Sequence, residues 1–384
     1  MKQPEGYVVA GKEHLVCKLT KSQYGLKQAT KVWNEKLHGT IIKLGFKQST
    51  ADPCLYSKQS ERKTQYMVIY VDDILVADSN NQKIDETANG LEQEFELTRL
   101  GELTNYLGVN ARKDSEGVYS IDQEQYIQKI FEWFGLEDAK ISKIPMDTGY
   151  LKIIGDKKPM VNSDIYQKLI GALLYVATHT RPDIAASVSI LSQRVKQPTE
   201  TDWTEAKRVV RYLKGTKNLR LKLGGNTNGL IVYSDADWAE DTTDRKSHSE
   251  HLFLYNGGAI AWSCRKQTCT AWSSCEAEYI ALAEASRELI WIRKLLEDFD
   301  ETETKATKIY EDNQSAIKMV KSKEFRNRTK HINTKYHFVN DLVEKEVVDL
   351  QYCPTEEMTA DMLTKPLQSV KLRKHREGCQ LTDK

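Results

Sequence analysis

Acidic residues at the ends of apolar strands constrain the C-terminal part of this chain more than any other feature. Two of them end or follow the apolar runs 230–234 and 308–311, and two lie in the predicted helices 275–296 and 357–364. Strands and helices alternate here, which predicts a mixed sheet with helices packed on it. Carboxylates at strand ends and on one helix face can then meet. The set consists of Asp235, Glu278, Asp312 and Asp361.

Converging carboxylates supply the oxygen ligands that magnesium prefers. Two such ions, about 3.5–4 Å apart, activate water and stabilise the leaving oxygen when nucleic acid is hydrolysed. For any single acid, the alternative is a helix cap or a solvated surface charge. Of the neighbouring acids, Glu276 points about 200° away from Glu278 on a helix, whereas Asp237 shares a strand face with Asp235.

Length and charge point to a multidomain protein with local basic surfaces. A chain of 384 residues predicts two or three domains, and 40% hydrophobic and 29% charged residues are typical of soluble globular proteins. The net charge of +1 hides two basic runs, 207–222 without an acid and 318–335 with one acid. Either run alone is typical of a solvated helix face, but both beside clustered carboxylates favour a phosphate backbone. The candidate contacts are Lys27, Lys207, Arg211, Lys214, Arg326, Arg328, Lys330 and His331.

Cysteine use and hydropathy indicate the compartment. Seven cysteines without a C-x-x-C pair favour reduced thiols over a disulfide framework or a usual zinc site. The sequence shows no signal peptide and no apolar run near 18 residues. We therefore expect a cytoplasmic or nuclear protein that is neither secreted nor bound to a membrane.

Before residue 230, apolar periodicity and turn residues predict further elements. The acidic pair Asp72-Asp73 lies between two of the predicted strands. We expect a linker over 142–162 and a domain boundary over 224–229. The predicted elements are hairpins over 7–19 and 103–121, strands over 66–70 and 74–77, and helices over 31–44, 82–96, 123–134, 165–177, 182–193 and 201–213. After residue 230 the predicted strands are 230–234, 252–255, 259–262, 268–272, 308–311 and 347–353.

The C-terminal part resembles the ribonuclease H of copia-type retrotransposon Pol polyproteins. The resemblance rests on the blocks YSDADWA (233–239), SSCEAEY (273–279), YEDNQSA (310–316), RTKHI (328–332) and ADMLTK (360–365). It implies that Asp235, Glu278, Asp312 and Asp361 bind metal. It also implies two Mg²⁺ or Mn²⁺ ions per active site. Glu240 and Glu250 depart from the family, which often has a small residue at these places.

The N-terminal part resembles the reverse transcriptase of the same family. The matching blocks are YGLKQ (24–28), LGF (44–46), DPCLY (52–56), YVDDILV (70–76) and YLGV (106–109), with GALLY (171–175), TRPDI (180–184) and RYLKGT (211–216) in a connecting segment. The resemblance implies that Asp72 and Asp73 are polymerase metal ligands. It places a further Asp upstream of Gln3, so we expect the polymerase site to be incomplete in this chain.

These observations predict an α+β or α/β protein, which combines a partial polymerase palm and thumb, a helical connection and an RNase H-like mixed five-stranded sheet with flanking helices. The expected parts are reverse transcriptase (1–140), connection (141–228), RNase H-like domain (229–366) and C-terminal tail (367–384). The expected activity is two-metal hydrolysis of RNA in RNA–DNA hybrids. Expected partners are such hybrids, template-primer nucleic acid and other Pol or Gag products. The alternative is a non-catalytic nucleic-acid-binding remnant of a retroelement.

Overall fold

The computed structural model divides into two compact units. Unit 1 consists of Met1–Arg99 and Trp291–Thr302, and unit 2 of Leu100–Ile290 and Glu303–Lys384. None of the described helices is long and apolar enough to cross a membrane. The described residues are 1–23, 25–60, 63–152, 158–160, 162–238, 244–321 and 333–383, with the backbone alone described at 60, 152 and 333–336.

Unit 1 contains a four-stranded antiparallel sheet and two helices. Its elements are α1 (Ala29–Lys43), β1 (Lys47–Gln48), β2 (Leu55–Ser60), β3 (Lys63–Tyr70), β4 (Asp73–Ala77) and α2 (Asn81–Glu92), with strand order β1-β2-β3-β4. Leu37 and Ile41, one turn apart on α1, are buried in the core of this unit. Asn80 caps α2, where its side chain accepts a hydrogen bond from the Gln82 N–H at 2.9 Å.

The predicted hairpin over 7–19 does not form. This segment contains no strand, and its pairing is a single antiparallel bridge between Lys2 and Val16. The apolar side chains that suggested strands are exposed, with Tyr7 at 80% and Val16 at 70%. The prediction was wrong because alternating apolar residues form a strand only where a core covers one face.

The first sheet of unit 2 joins segments from distant parts of the chain. Its elements are β5 (Asn105–Tyr106), β6 (Val109–Lys113), β7 (Tyr119–Asp122), β8 (Arg220–Leu223) and β14 (Leu381–Thr382), in the order β14-β8-β7-β6-β5, with the helices α3 (Glu124–Phe134) and α11 (Ser369–Gly378). The C-terminal residues, predicted as a tail, therefore form a helix and an edge strand. Leu372, Cys379 and Leu381 are buried in the core, which corrects that prediction.

Further helices lie between α3 and β8 in the sequence. They are α4 (Ser163–His179), a 3₁₀ turn (Pro182–Ile184), α5 (Ala185–Ser192) and α6 (Glu200–Gly215). A buried ion pair holds the 3₁₀ turn, because Arg181 Nη2 lies 2.8 Å from Asp183 Oδ2 and both side chains are almost completely buried. The Tyr212 hydroxyl on α6 donates to the same carboxylate at 2.6 Å, and Arg181 donates to the Thr216 carbonyl at 3.0 Å. These bonds connect α6 with the turn between α4 and α5.

The segment 142–162, predicted as a linker, packs against these helices in its described part. Met146 is fully buried, and the Tyr150 hydroxyl donates to Asp202 Oδ1 at 2.5 Å. The Asp147 N–H donates to Glu205 Oε2 at 2.8 Å. Residues 153–157 and 161 lie outside the described residues. The Pro and Gly residues of the segment thus indicate irregular backbone rather than a free linker.

The second sheet of unit 2 is the predicted mixed five-stranded sheet. Its strands are β9 (Leu230–Ala236), β10 (His248–Tyr255), β11 (Gly258–Lys266), β12 (Thr307–Glu311) and β13 (Val348–Tyr352), in the order β11-β10-β9-β12-β13. β10 pairs antiparallel with β9 and β11, whereas β12 is parallel to β9 and β13. The predicted strand 268–272 is not a strand. The flanking helices are α7 (Ser274–Asp298), α8 (Gln314–Lys321), α9 (Asn333–Glu344) and α10 (Asp361–Thr364).

Helix α7 begins in unit 2 and ends in unit 1. In unit 1 its last turns are held by specific contacts. The Trp291 indole N–H donates to the Ala51 carbonyl at 3.0 Å, and the Ser49 hydroxyl donates to Asp298 Oδ2 at 2.5 Å. These contacts could not be predicted from local sequence patterns, because the partners are 240 and 249 residues apart in the chain.

We expect Arg181→Met to lower the free energy of unfolding of unit 2 by about 3–5 kcal/mol, because the variant leaves Asp183 buried without its cation. The matched control, Arg373→Met, breaks an exposed ion pair with Glu377 and should leave the free energy of unfolding nearly unchanged, because solvent screens exposed pairs. Urea unfolding followed by circular dichroism measures both. Equal losses would contradict the importance of the buried pair.

Acid should destabilise the second sheet through His251 on β10. Burial, together with the charges of Arg265 and Arg287, lowers the pKa of His251 to about 4. The unfolded chain therefore binds one more proton than the folded chain between pH 6.5 and 4, and the free energy of unfolding falls by about 2–3 kcal/mol as the pH is lowered through this range. We expect His251→Asn to have a flatter pH profile of stability below pH 6.5. Identical profiles would refute this prediction.

Candidate active site

Three of the four predicted carboxylates meet at one edge of the second sheet. Asp235, Glu278 and Asp312 each offer an oxygen atom, and these atoms all lie within 4.8 Å of one another. β9 and β12 are parallel neighbours, so the residues at their carboxyl ends reach the same edge. Helix α7 brings Glu278 to this edge.

Small side chains let α7 approach the end of β9. Ala277 and Ile280 on α7 pack with Ala271 and with Ala236, the residue after Asp235. On the chain, Ala277 precedes Glu278 directly. Close packing of these alanines therefore places the two carboxylates side by side.

Hydrogen bonds hold Asp235 and Asp312, whereas one oxygen of Glu278 has no partner. Asp235 Oδ1 accepts from the Ala236 N–H at 3.0 Å, and Asp312 Oδ2 accepts from the Thr355 hydroxyl at 2.6 Å. Glu278 Oε2 is buried and has no hydrogen-bond partner. A buried carboxylate oxygen without a partner is costly, so it needs a proton or a cation.

Burial and repulsion favour the neutral forms of Glu278 and Asp235. Burial, followed by repulsion from Glu311 and Asp235, raises the pKa of Glu278 to about 12. Burial, followed by the charges of Asp312 and Asp361, raises the pKa of Asp235 well above its usual value. Raised values of this kind, in a group with a specific charge partner, are typical of functional sites.

The three carboxylates fit a divalent cation that prefers oxygen ligands. Asp235, Glu278 and Asp312 supply only carboxylate oxygens, which magnesium and manganese accept. The buried Glu278 Oε2 without a partner points to a ligand that the protein itself does not supply. A bound cation would remove the repulsion that raises the pKa values.

Asp361, the fourth predicted ligand, lies outside this group of three. Its side chain is buried, and its Oδ1 lies 2.6 Å from the Lys365 ammonium one turn later on the chain. Lys371 lies 3.9 Å from the other oxygen. Asp361 is near enough for its charge to raise the pKa of Asp235. The described structure therefore gives Asp361 lysine partners, and its role as a metal ligand stays a prediction.

The neighbouring acids have structural partners. Glu276 Oε2 accepts from the Trp272 N–H at 2.8 Å, before the start of α7. Asp237 accepts from the His248 backbone N–H at 2.8 Å and lies 2.9 Å from His248 Nδ1. Both acids therefore stabilise the backbone around the site.

Our sequence analysis missed Glu311. This residue precedes Asp312, is fully buried, and accepts from the Asn313 N–H at 3.1 Å. Its charge raises the pKa of Glu278. The alternation along β12 provides a signal, since Thr307, Ile309 and Glu311 share the buried face.

The predicted polymerase carboxylates lie in a turn of unit 1. Asp72 and Asp73 connect β3 with β4 and are exposed. Val71 adopts φ +56°, and its carbonyl accepts from the Trp33 indole N–H at 2.9 Å. In the part of the chain that the structure describes, the group around Asp235 is the one cluster of three metal-ligating side chains. The polymerase role of Asp72 and Asp73 stays a prediction.

The predicted nucleic-acid contacts differ in their surroundings. Arg211 donates to the Lys140 carbonyl at 2.7 Å, and Lys214 donates to the carbonyls of Glu137 and Ala139. The Lys207 ammonium lies over the Trp203 ring, 5.4 Å from its centre. Lys27 is exposed. The remaining candidates, Arg326, Arg328, Lys330 and His331, lie outside the described residues, as does Glu240.

Magnesium should stabilise the metal-free protein through this site. At a concentration about 100 times the dissociation constant, a bound ion adds about 2.7 kcal/mol, or roughly 5–10 °C in the melting temperature. We expect Asp312→Asn to lose this shift and Glu276→Gln, a buried neighbour with its own backbone partner, to keep it. Thermal unfolding with and without magnesium, after treatment with a chelator, measures the shift. A full shift in Asp312→Asn would place the ion elsewhere.

Comparisons with known proteins identify the family. The family described as "Reverse transcriptase (RNA-dependent DNA polymerase)" matches residues 1–148. The retrovirus-related Pol polyprotein from transposon TNT 1-94 of Nicotiana tabacum is 37% identical over 95% of this chain and 28% of its own length. The putative transposon Ty5-1 protein of Saccharomyces cerevisiae is 30% identical over 75% of this chain and 94% of its own length.

Among solved structures, a foamy viral protease-reverse transcriptase in complex with an RNA/DNA hybrid is similar over 87% of this chain and 39% of that chain, with 12% identity and a TM-score of 0.46. The chain spans about a quarter of the length of the curated Pol polyproteins that it matches, with 28% of one and 25% of two others. The sequence matches confirm the resemblance that the motifs indicated. The chain belongs to the family of retrovirus-related Pol polyproteins of copia-type transposons and contains a reverse transcriptase region.

Proposed function

We propose that unit 2 hydrolyses RNA in RNA–DNA hybrids, as a ribonuclease H with magnesium or manganese as its cofactor. The observation that carries the proposal is the convergence of Asp235, Glu278 and Asp312 within 4.8 Å. These residues come from two strand ends and one helix of a mixed sheet, so the fold itself holds them together. Two ions bound by such carboxylates activate the attacking water and stabilise the leaving oxygen.

The side chains of this site would bind and orient rather than react covalently. Asp235 and Asp312, fixed by the Ala236 N–H and the Thr355 hydroxyl, hold their oxygens towards the same point. Glu278 adds a ligand from a buried position on α7. In the reaction, water adds to phosphorus, one phosphorus–oxygen bond of the RNA backbone breaks, and the released oxygen takes up a proton.

Nucleic acid is the proposed partner of both units. Basic residues would contact its backbone. The described candidates are Lys27, which is exposed, and Lys207, which is partly buried and lies over the Trp203 ring. We further propose that the turn at Asp72 and Asp73 does not polymerise DNA by itself, because no third carboxylate joins it in the described residues. The protein would act in the cytoplasm or the nucleus, where other Pol or Gag products are available.

A second candidate function is non-catalytic binding of nucleic acid. One observation favours it, since Asp361 is paired with Lys365 at 2.6 Å and lies outside the group of three. If a fourth carboxylate at this position were essential, the protein would bind hybrids without cleaving them. Cleavage separates the two functions directly.

We expect this protein to cleave a labelled RNA–DNA hybrid in the presence of magnesium. Asp312→Asn should lower the cleavage rate by about 100-fold or more, since it removes one charged ligand. Glu276→Gln, the matched control, should cleave like the unchanged protein. Absence of cleavage by a folded protein that binds the hybrid would support the second function instead.

A further inference from the structure

Another buried carboxyl group lies on the same sheet face as Asp235. Glu250 on β10 is directly opposite Asp235 on β9 in the antiparallel register. Directly opposite residues of an antiparallel pair point to the same face, with Cβ atoms about 4.5–5.5 Å apart. The register thus places the Glu250 side chain beside that of Asp235.

The surroundings of Glu250 leave one of its oxygens without a partner. The residue is fully buried, and the Cys264 thiol, opposite it on β11, lies 3.7 Å from Glu250 Oε1. Glu250 Oε2 is buried and has no hydrogen-bond partner. A thiol is a weak donor, so the carboxyl group as a whole is poorly satisfied by the protein.

The carboxylates of the site oppose the charged form of Glu250. Besides burial and Cys264, the charges that raise the pKa of Glu250 are those of Asp235, Asp237 and Glu278. None of the groups in that set is a cation. A buried carboxylate next to others is stable only with a positive charge or a proton.

We propose that Glu250 is an additional metal ligand in this chain, which binds a divalent cation together with Asp235. This inference rests on the proposed function, because it assigns a further residue to the same metal site. Glu250 approaches from β10, whereas Glu278 approaches from α7. Asp235 would then hold the cation together with Glu250, in addition to its place in the group with Glu278 and Asp312.

Manganese titration of the full-length, metal-free protein tests the proposal. Electron paramagnetic resonance measures the free ion, and hence both the number of bound ions and their affinity. Glu250→Gln keeps the shape and removes the charge, and we expect it to lose one bound ion or to bind about tenfold or more weakly. Glu276→Gln is the matched control, since its carboxylate accepts from the Trp272 N–H, and it should bind like the unchanged protein.

Two further variants keep the outcomes distinct. Asp235→Asn should abolish high-affinity binding, and if it binds manganese like the unchanged protein, the site itself and the proposed function fail together. If Asp235→Asn loses binding while Glu250→Gln has unchanged number and affinity, only the role of Glu250 is overturned. Should Glu250→Gln fail to fold, as judged by circular dichroism, Glu250→Asp keeps the charge on a shorter side chain. The proposal then requires Glu250→Asp to bind manganese more weakly, and unchanged binding overturns it.

Discussion

Electrostatic repulsion among buried carboxylates is the constraint that the architecture of unit 2 satisfies. Asp235, Glu278 and Asp312 offer oxygens within 4.8 Å of one another. Such a group separates unless each member is fixed by elements that cannot move independently. Parallel pairing fixes the ends of β9 and β12, and close packing of Ala277 near Ala236 fixes α7. The site is therefore a consequence of strand register and of small residues in the helix, rather than of flexible loops.

Much of this arrangement could be predicted from the sequence, because the signals are local. One apolar run is followed by Asp235 and a second by Asp312. Each run predicts a strand, and each Asp marks the end of its strand. The small and apolar residues around Glu278 show the buried face of α7. Glu311 was missed because the adjacent Asp312 carries the family motif. The alternation of Thr307, Ile309 and Glu311 nevertheless places all three on a buried face.

Other features depend on partners that are distant in the sequence, so no local pattern shows them. The strand β14 forms only because β8 offers an open edge, and Leu381 is buried there. Irregular backbone around Met146 looks like a linker until Glu205 and Asp202 on α6 are brought against it. The pairing of Asp361 with Lys365 is a different case: the two residues are neighbours on the chain, but the sequence does not show whether Asp361 pairs with lysine or with a metal.

The basic run 207–222 shows the same limit for electrostatics. Its sequence contains no acid, which favoured a surface for phosphate. In the structure Arg220 lies 3.6 Å from Asp122, the last residue of β7, and Lys222 lies 3.5 Å from Asp114, which directly follows β6. Arg211 and Lys214 hold backbone carbonyls instead. The sequence therefore shows how many basic residues the run contains. The folded structure shows how many of them are already paired with neighbouring acids or backbone carbonyls and how many are available to contact a phosphate backbone. By this reasoning the exposed and partly buried lysines, rather than the whole run, are the residues available to contact the proposed hybrid.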